Sequence, residues 1–262
     1  MQVARLESKI SNEATAALPM LSFEGDIVVV DKEEQVAAAC EDLASCRIIG
    51  FDTETRPAFK AGLSYKVSLL QLSTPKTCYL FRLNKIALSR PILHILESND
   101  IIKLGADVVG DIRALNELRR FKDRGFLDLQ GIIWRWGVEE KSLRKMSAIM
   151  LGYRISKAQR LSNWEAVALT PQQQQYAATD AWACIEIYNK MQAIGELSPE
   201  EIAQIEEDRR LQAIAAAERR AAKEEERRQK MEAAGLEYIP RKSWKEMRKA
   251  KRALKQIDRD KR

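Results

Sequence analysis

Asp52 and Glu54 stand two residues apart at the end of an apolar run, Ile48-Ile49-Gly50-Phe51. In an extended strand alternate side chains share a face, so these carboxylates point the same way, about 7 Å apart along the chain. A strand that simply stops there leaves both acids solvated. The sharper reading is a metal site, because a divalent cation removes the repulsion and the burial cost together. Further on, a helical pattern over residues 108–118 places Asp111 on an apolar stripe with Val108, Ile112, Leu115 and Leu118. A second helical pattern, over 171–194, carries Tyr176, Asp180, Cys184, Ile187 and Met191 on one stripe, the phenol one turn ahead of the carboxylate. Three motifs thus aim four carboxylates inward, with no arginine equally placed. Buried carboxylates are expensive unless paired or metal-bound, so the pattern points to a shared cation.

Composition removes several other chemistries. His94 is the one histidine. Histidine-rich zinc sites cannot be built, and a Ser-His-Asp or Cys-His hydrolase would rest wholly on His94, which reads as a packing or surface residue of a short apolar helix. No GxxxxGK(S/T) or GxGxxG loop occurs, so phosphate is not cradled by glycines. The four cysteines, Cys40, Cys46, Cys78 and Cys184, lack CxxC spacing and read as reduced packing residues of an intracellular protein, cytoplasmic or, in a eukaryote, nuclear. Arg5, Glu7 and Lys9 come without an apolar signal core, and no run of about 18 apolar residues follows; secretion and membrane spanning are not expected.

The positioning elements follow from periodicity. Residues 1–25 show no strong period and read as an arm. Strands are predicted over 26–31, 47–52, 66–73, 77–81 and 101–105, and helices over 32–46, 91–98, 108–118, 127–136, 142–151 and 171–194. Early strands mixed with and followed by helices predict an α/β domain over 26–195, one mixed sheet flanked by helices. The last helix opens on Thr170-Pro171-Gln172-Gln173, a capping box with proline at its first position, which fixes the register of Tyr176 and Asp180.

Residues 196–262 differ in kind. A charged helical extension over 199–234 should end at Gly235; its heptad is poor, and a partner-binding coil is one reading of it. Residues 241–262 hold 11 Lys/Arg against 3 Asp/Glu, with Trp244 among them. Such a segment is either a solvated tail or an arm that grips nucleic acid.

FDTET, KLGADVVGDIRAL and LSNWEA…LT…QQYAATDAWACIEIY, in that order, resemble the motifs of the DEDD superfamily of 3′–5′ exonucleases, in its tyrosine-bearing branch; ribonuclease D and Werner-type exonuclease domains are the nearest look. The likeness covers roughly residues 26–192. It implies a ribonuclease-H-like fold and hydrolysis of DNA or RNA from the 3′ end, with two divalent cations, Mg²⁺ or Mn²⁺, held by Asp52, Glu54, Asp111 and Asp180. By the same likeness Tyr176 helps position the attacking water. The family's other branch has a histidine five residues before the last aspartate; here that position is Gln175, so Tyr176 must serve. Asp107, one turn before Asp111, reads as a helix cap, with its use as the ligand in place of Asp111 as the alternative. Arg56 and Lys60 after the first motif, and Arg160 near the third, could meet phosphates or face water. Trp164 could stack on a base or pack under the helix. A catalytically inactive nucleic-acid-binding or scaffold protein is the rival from another class.

Overall fold

The computed structural model of the chain describes residues 6–60 and 62–235. They divide into two compact units between Leu197 and Ser198. The first is built on a six-stranded mixed sheet: β1 (Asp26–Val30), β2 (Ile48–Thr55), β3 (Val67–Ser73), β4 (Thr77–Phe81), β5 (Ile102–Gly105) and β6 (Phe126–Asp128), in the order β1-β4-β3-β2-β5-β6. β2, β3 and β4 form an antiparallel meander; β1 joins β4 in parallel, and β5 and β6 extend β2 in parallel. All seven residues of β3 are buried, as befits a central strand covered on both faces.

Helices cover both faces. α1 (Asn12–Ala17) precedes the sheet; α2 (Glu33–Ala44), α3 (Arg90–Glu97) and α4 (Val108–Leu118) supply Val36, Leu43, Ile92, Leu96 and Leu115 to a core shared with Ile49, Phe51, Leu72 and Phe81. α5 (Leu129–Ile132) leads into a 3-10 turn at Ile133–Trp136, followed by α6 (Leu143–Leu151) and α7 (Pro171–Ile194). α7 lies on the opposite face, where Ala177, Ala178 and Ala181 pack with Leu69 and Leu80. Its approach is close: a Cβ on Gly50 would come within 2.0 Å of the Ala181 carbonyl oxygen. Small residues on both surfaces let the helix sit directly against β2.

One expectation is corrected. The helical pattern over 127–136 begins instead as β6, an edge strand paired with β5. Gly125, at φ 65°, turns the chain into it, and Asp128 accepts a hydrogen bond from the Gln130 amide to start α5. Three strand residues span less than one helical repeat, so periodicity could not separate them. Within the segment read as an N-terminal arm, the described residues 6–25 are tied to the domain. α1 forms, and Phe23 is buried, its amide donating to Thr179 Oγ1 at 3.1 Å and its carbonyl accepting from Gln175 Nε2 at 2.6 Å. One anchoring aromatic leaves no period to detect.

All four cysteines are free, and His94 lies exposed on α3. Among the described residues no helix is long and apolar enough to cross a membrane. In the second unit α8 (Pro199–Ala233) is one continuous helix with no buried residue. Its capping box joins Ser198 and Glu201, and pairs such as Glu225–Arg228 and Glu226–Lys230 line its surface. The basic segment 241–262 lies outside the described residues.

Candidate active site

β2 carries the first motif, and its pairing with β3 stays in register through Glu54 before shifting at Thr55. Asp52 and Glu54 therefore sit on the face of the sheet that carries Gly50, toward α7. The capping box of α7 is formed, with Thr170 Oγ1 accepting from the Gln173 amide and Gln173 Oε1 accepting from the Thr170 amide. That fixed register brings Asp180 onto the strand. Asp52, Glu54 and Asp180 each offer a carboxylate oxygen, and these atoms all lie within 4.8 Å of one another. Asp180 Oδ1 is buried without a hydrogen-bond partner.

Asp111 arrives from another direction. β5 pairs with β2 only from Ile48 to Gly50, so the next residues of β2 have a free edge on that side. The start of α4 lies there, and Asp111 Oδ1 accepts a 2.6 Å hydrogen bond from Thr53 Oγ1. Asp107 is exposed in the left-handed region at φ 69° and makes no side-chain cap bond, so it occupies the cap position without capping. Its amide instead donates to Asp128 at 3.3 Å.

The electrostatics reflect four acids in one confined place. Burial first, then Asp111, Asp180 and Glu54, hold the Asp52 carboxyl well above its ordinary range. Burial, with Asp180 and Asp111, raises Glu54 to about 9, against the opposing charge of Arg160. Burial raises Asp180 to about 7 despite hydrogen bonding from Tyr176, and raises Asp111 to about 7 despite the bond from Thr53. Without a cation the cluster holds protons. An oxygen-only donor set, a buried carboxylate oxygen with no partner and unrelieved negative charge together fit a hard divalent cation.

Tyr176 is buried one turn ahead of Asp180, and its phenol pKa is raised by burial and then by Asp180 and Glu54. Trp164 is 0% exposed, its ring 6.0 Å from that of Tyr176. The base-stacking reading of Trp164 is therefore corrected; the ring packs under the helix. Arg56 pairs with Glu165 at 3.2 Å and lies over the Tyr65 ring. Lys60 and Arg160 are exposed, and Arg160 is close enough to act on Glu54. Gln175 turns away to hold Phe23.

Some contributors carry no motif of their own. Thr53 was hidden between two acids, although strand alternation already says it must face away from them. Arg82, almost wholly buried, donates to the Ala166 carbonyl and ties the segment before α7 to the end of β4. Nothing in its local pattern announces that.

A model of the 3′-5′ exonuclease family matches residues 27–196, and the chain belongs to that family. Over 191 residues it is 32% identical to the bifunctional 3′-5′ exonuclease/ATP-dependent helicase WRN of Mus musculus, a match covering 68% of this chain and 14% of that protein. The chain therefore spans a small part of that relative's length. Among solved structures, the EXO domain of Aedes aegypti Nibbler superposes with a TM-score of 0.59 at 26% identity, covering 71% of this chain and 98% of that one. Escherichia coli RNase D, an exoribonuclease involved in structured RNA processing, gives the same TM-score at 20% identity over 64% of this chain and 45% of its own, a likeness of fold. The expected ribonuclease-H-like mixed sheet with a helical extension is the fold found.

Proposed function

We propose that the chain is a divalent-metal-dependent 3′–5′ exonuclease hydrolysing phosphodiester bonds from the 3′ end of a DNA or RNA strand. The observation that carries this reading is the convergence of Asp52, Glu54 and Asp180 within 4.8 Å, with a buried and unpartnered Asp180 oxygen among them. These three, with Asp111, would hold two cations, Mg²⁺ or Mn²⁺. Bound there, the cations supply activation of a water and stabilisation of the leaving 3′ oxygen in an in-line displacement at phosphorus.

The chain's own residues do the placing. Four carboxylates from β2, α4 and α7 nearly neutralise two divalent charges, which leaves a site suited to an anionic diester. Tyr176, kept neutral by its surroundings, orients the attacking water by hydrogen bonding and does not take its proton. Lys60 and Arg160, exposed cations near the first and third motifs, are assigned to phosphates of the strand.

Matched 5′-labelled DNA and RNA oligomers, incubated with the full chain with and without Mg²⁺ or Mn²⁺, test the reading. The expected result is metal-dependent shortening from the 3′ end, with the two ladders reporting substrate preference. Intact oligomers of both kinds under every metal condition would sink it.

A further inference from the structure

β3 carries a side chain that the carboxylate cluster leaves without a use. Gln71 is 0% exposed, and neither its Nε2 nor its Oε1 has a hydrogen-bond partner. Burying an amide unpaired is costly, and such groups in a folded core are few. Strand register fixes where this one points. Gln71 stands directly opposite Asp52 in the antiparallel β2–β3 pair, and opposite Leu80 on its other side. Directly opposed residues project from the same face, with Cβ atoms about 4.5–5.5 Å apart. Gln71 therefore lies beside Asp52, under α7.

Its surroundings leave it few choices. Leu69 and Leu80 on that face are apolar. Ser73, two residues along, is engaged with the Thr74 carbonyl at 2.8 Å. α7 is closely seated on this face, with Gly50 against Ala181 at the neighbouring Ser73 pair. Among these neighbours the Asp52 carboxylate is the acceptor facing it.

We propose that Gln71 is a positioning residue of the metal site: once cations bind and Asp52 is a carboxylate ligand, Gln71 Nε2–H donates to Asp52 and fixes its orientation. This rests on reading the cluster as a metal site. The residue type suits the task. A lysine here would compete with the cations, and an apolar side chain would leave a ligand oxygen buried without a donor. A neutral amide supplies the bond and adds no charge. Partners that orient metal ligands in this way typically contribute about ten- to a hundred-fold to metal affinity.

The test uses the full chain and two variants, Gln71→Met and Gln71→Leu, with Mn²⁺ binding followed by calorimetry and thermal unfolding measured without metal. The metal-free variants should melt no lower than wild type, because the amide they lose has no partner in that state. Their Mn²⁺ dissociation constants should rise about ten- to a hundred-fold. Unchanged Mn²⁺ affinity in folded variants overturns the assignment. Failure of both variants to fold overturns it too, since the amide would then be serving the metal-free structure. Asp180→Asn is the control: if it binds Mn²⁺ as wild type does, the metal-site reading itself fails, and this inference with it.

Discussion

Thr53 Oγ1 and Asp111 Oδ1, 58 residues apart in sequence, are joined by a 2.6 Å hydrogen bond. The middle residue of the first motif thus holds the second. Its flanking acids face α7, and its own side chain reaches the start of α4 along the edge of β2 that β5 leaves free. Thr53→Val keeps the shape and removes the donor. Activity at sub-saturating metal should fall about ten- to a hundred-fold, as for other partners of a ligand. Thr53→Ser should recover most of it. A metal titration of both variants checks this, and equal curves for Thr53→Val and wild type would remove Thr53 from the site.

Asp52→Asn, Glu54→Gln, Asp111→Asn and Asp180→Asn should each abolish most turnover, because an amide oxygen brings no charge to a cation. Far-ultraviolet circular dichroism should show each variant folded. Asp107→Asn should stay near wild type, since Asp107 is exposed whereas Asp111 is part-buried and held by Thr53. The reverse pattern at positions 107 and 111 would transfer the second ligand to Asp107.

Tyr176→Phe should slow hydrolysis roughly ten- to a thousand-fold, the range of water-positioning and acid–base effects. Its Mn²⁺ isotherm should match wild type, because the phenol is not placed as a ligand. A dissociation constant that weakens in step with the rate would contradict that separation.

The metal-free protein should lose stability as pH rises. Glu54 at about 9, and Asp180 and Asp111 at about 7, lie above the ordinary carboxylate range, and Asp52 is raised as well. The native state then binds more protons than the unfolded chain, so this contribution is complete below about pH 4 and declines through about pH 9. Melting in a chelator between pH 5 and 9 should show the fall. Mn²⁺ should raise the melting temperature more at pH 8 than at pH 6, because binding displaces protons. A chelated protein that grows more stable across this range would refute the assignment of raised carboxylates.

For residues 241–262, with their excess of Lys/Arg and Trp244, we propose a role in holding substrate away from the carboxylates. Each phosphate contact steepens the log–log salt dependence of binding by about 0.7 to 0.9. Deleting residues 236–262 should flatten that slope by several contacts' worth on a long strand and leave cleavage of a very short oligomer unchanged. Identical slopes would make the segment a solvated appendage or a protein-docking element.

Local chemistry along the chain was enough to place Asp52 and Glu54 on one face, to set Tyr176 and Asp180 one turn apart behind a capping box, and to mark 199–234 as a charged helix. Those are short-range properties: strand alternation, helical period and end-capping depend on neighbours within a few residues. What the periods could not decide was which side chains meet. The 4.8 Å convergence of β2 with α7 depends on Gly50 and the alanines of α7. The Thr53–Asp111 bond depends on β5 ending early, and the seat of Gln71 beside Asp52 on the β2–β3 register. Trp164 illustrates the limit: its segment reads equally well as a stacking platform or as core, and only packing against Tyr176 buried it. Pairings between residues far apart in sequence arise when sheet and helix close over a common core, and no local pattern records that closure.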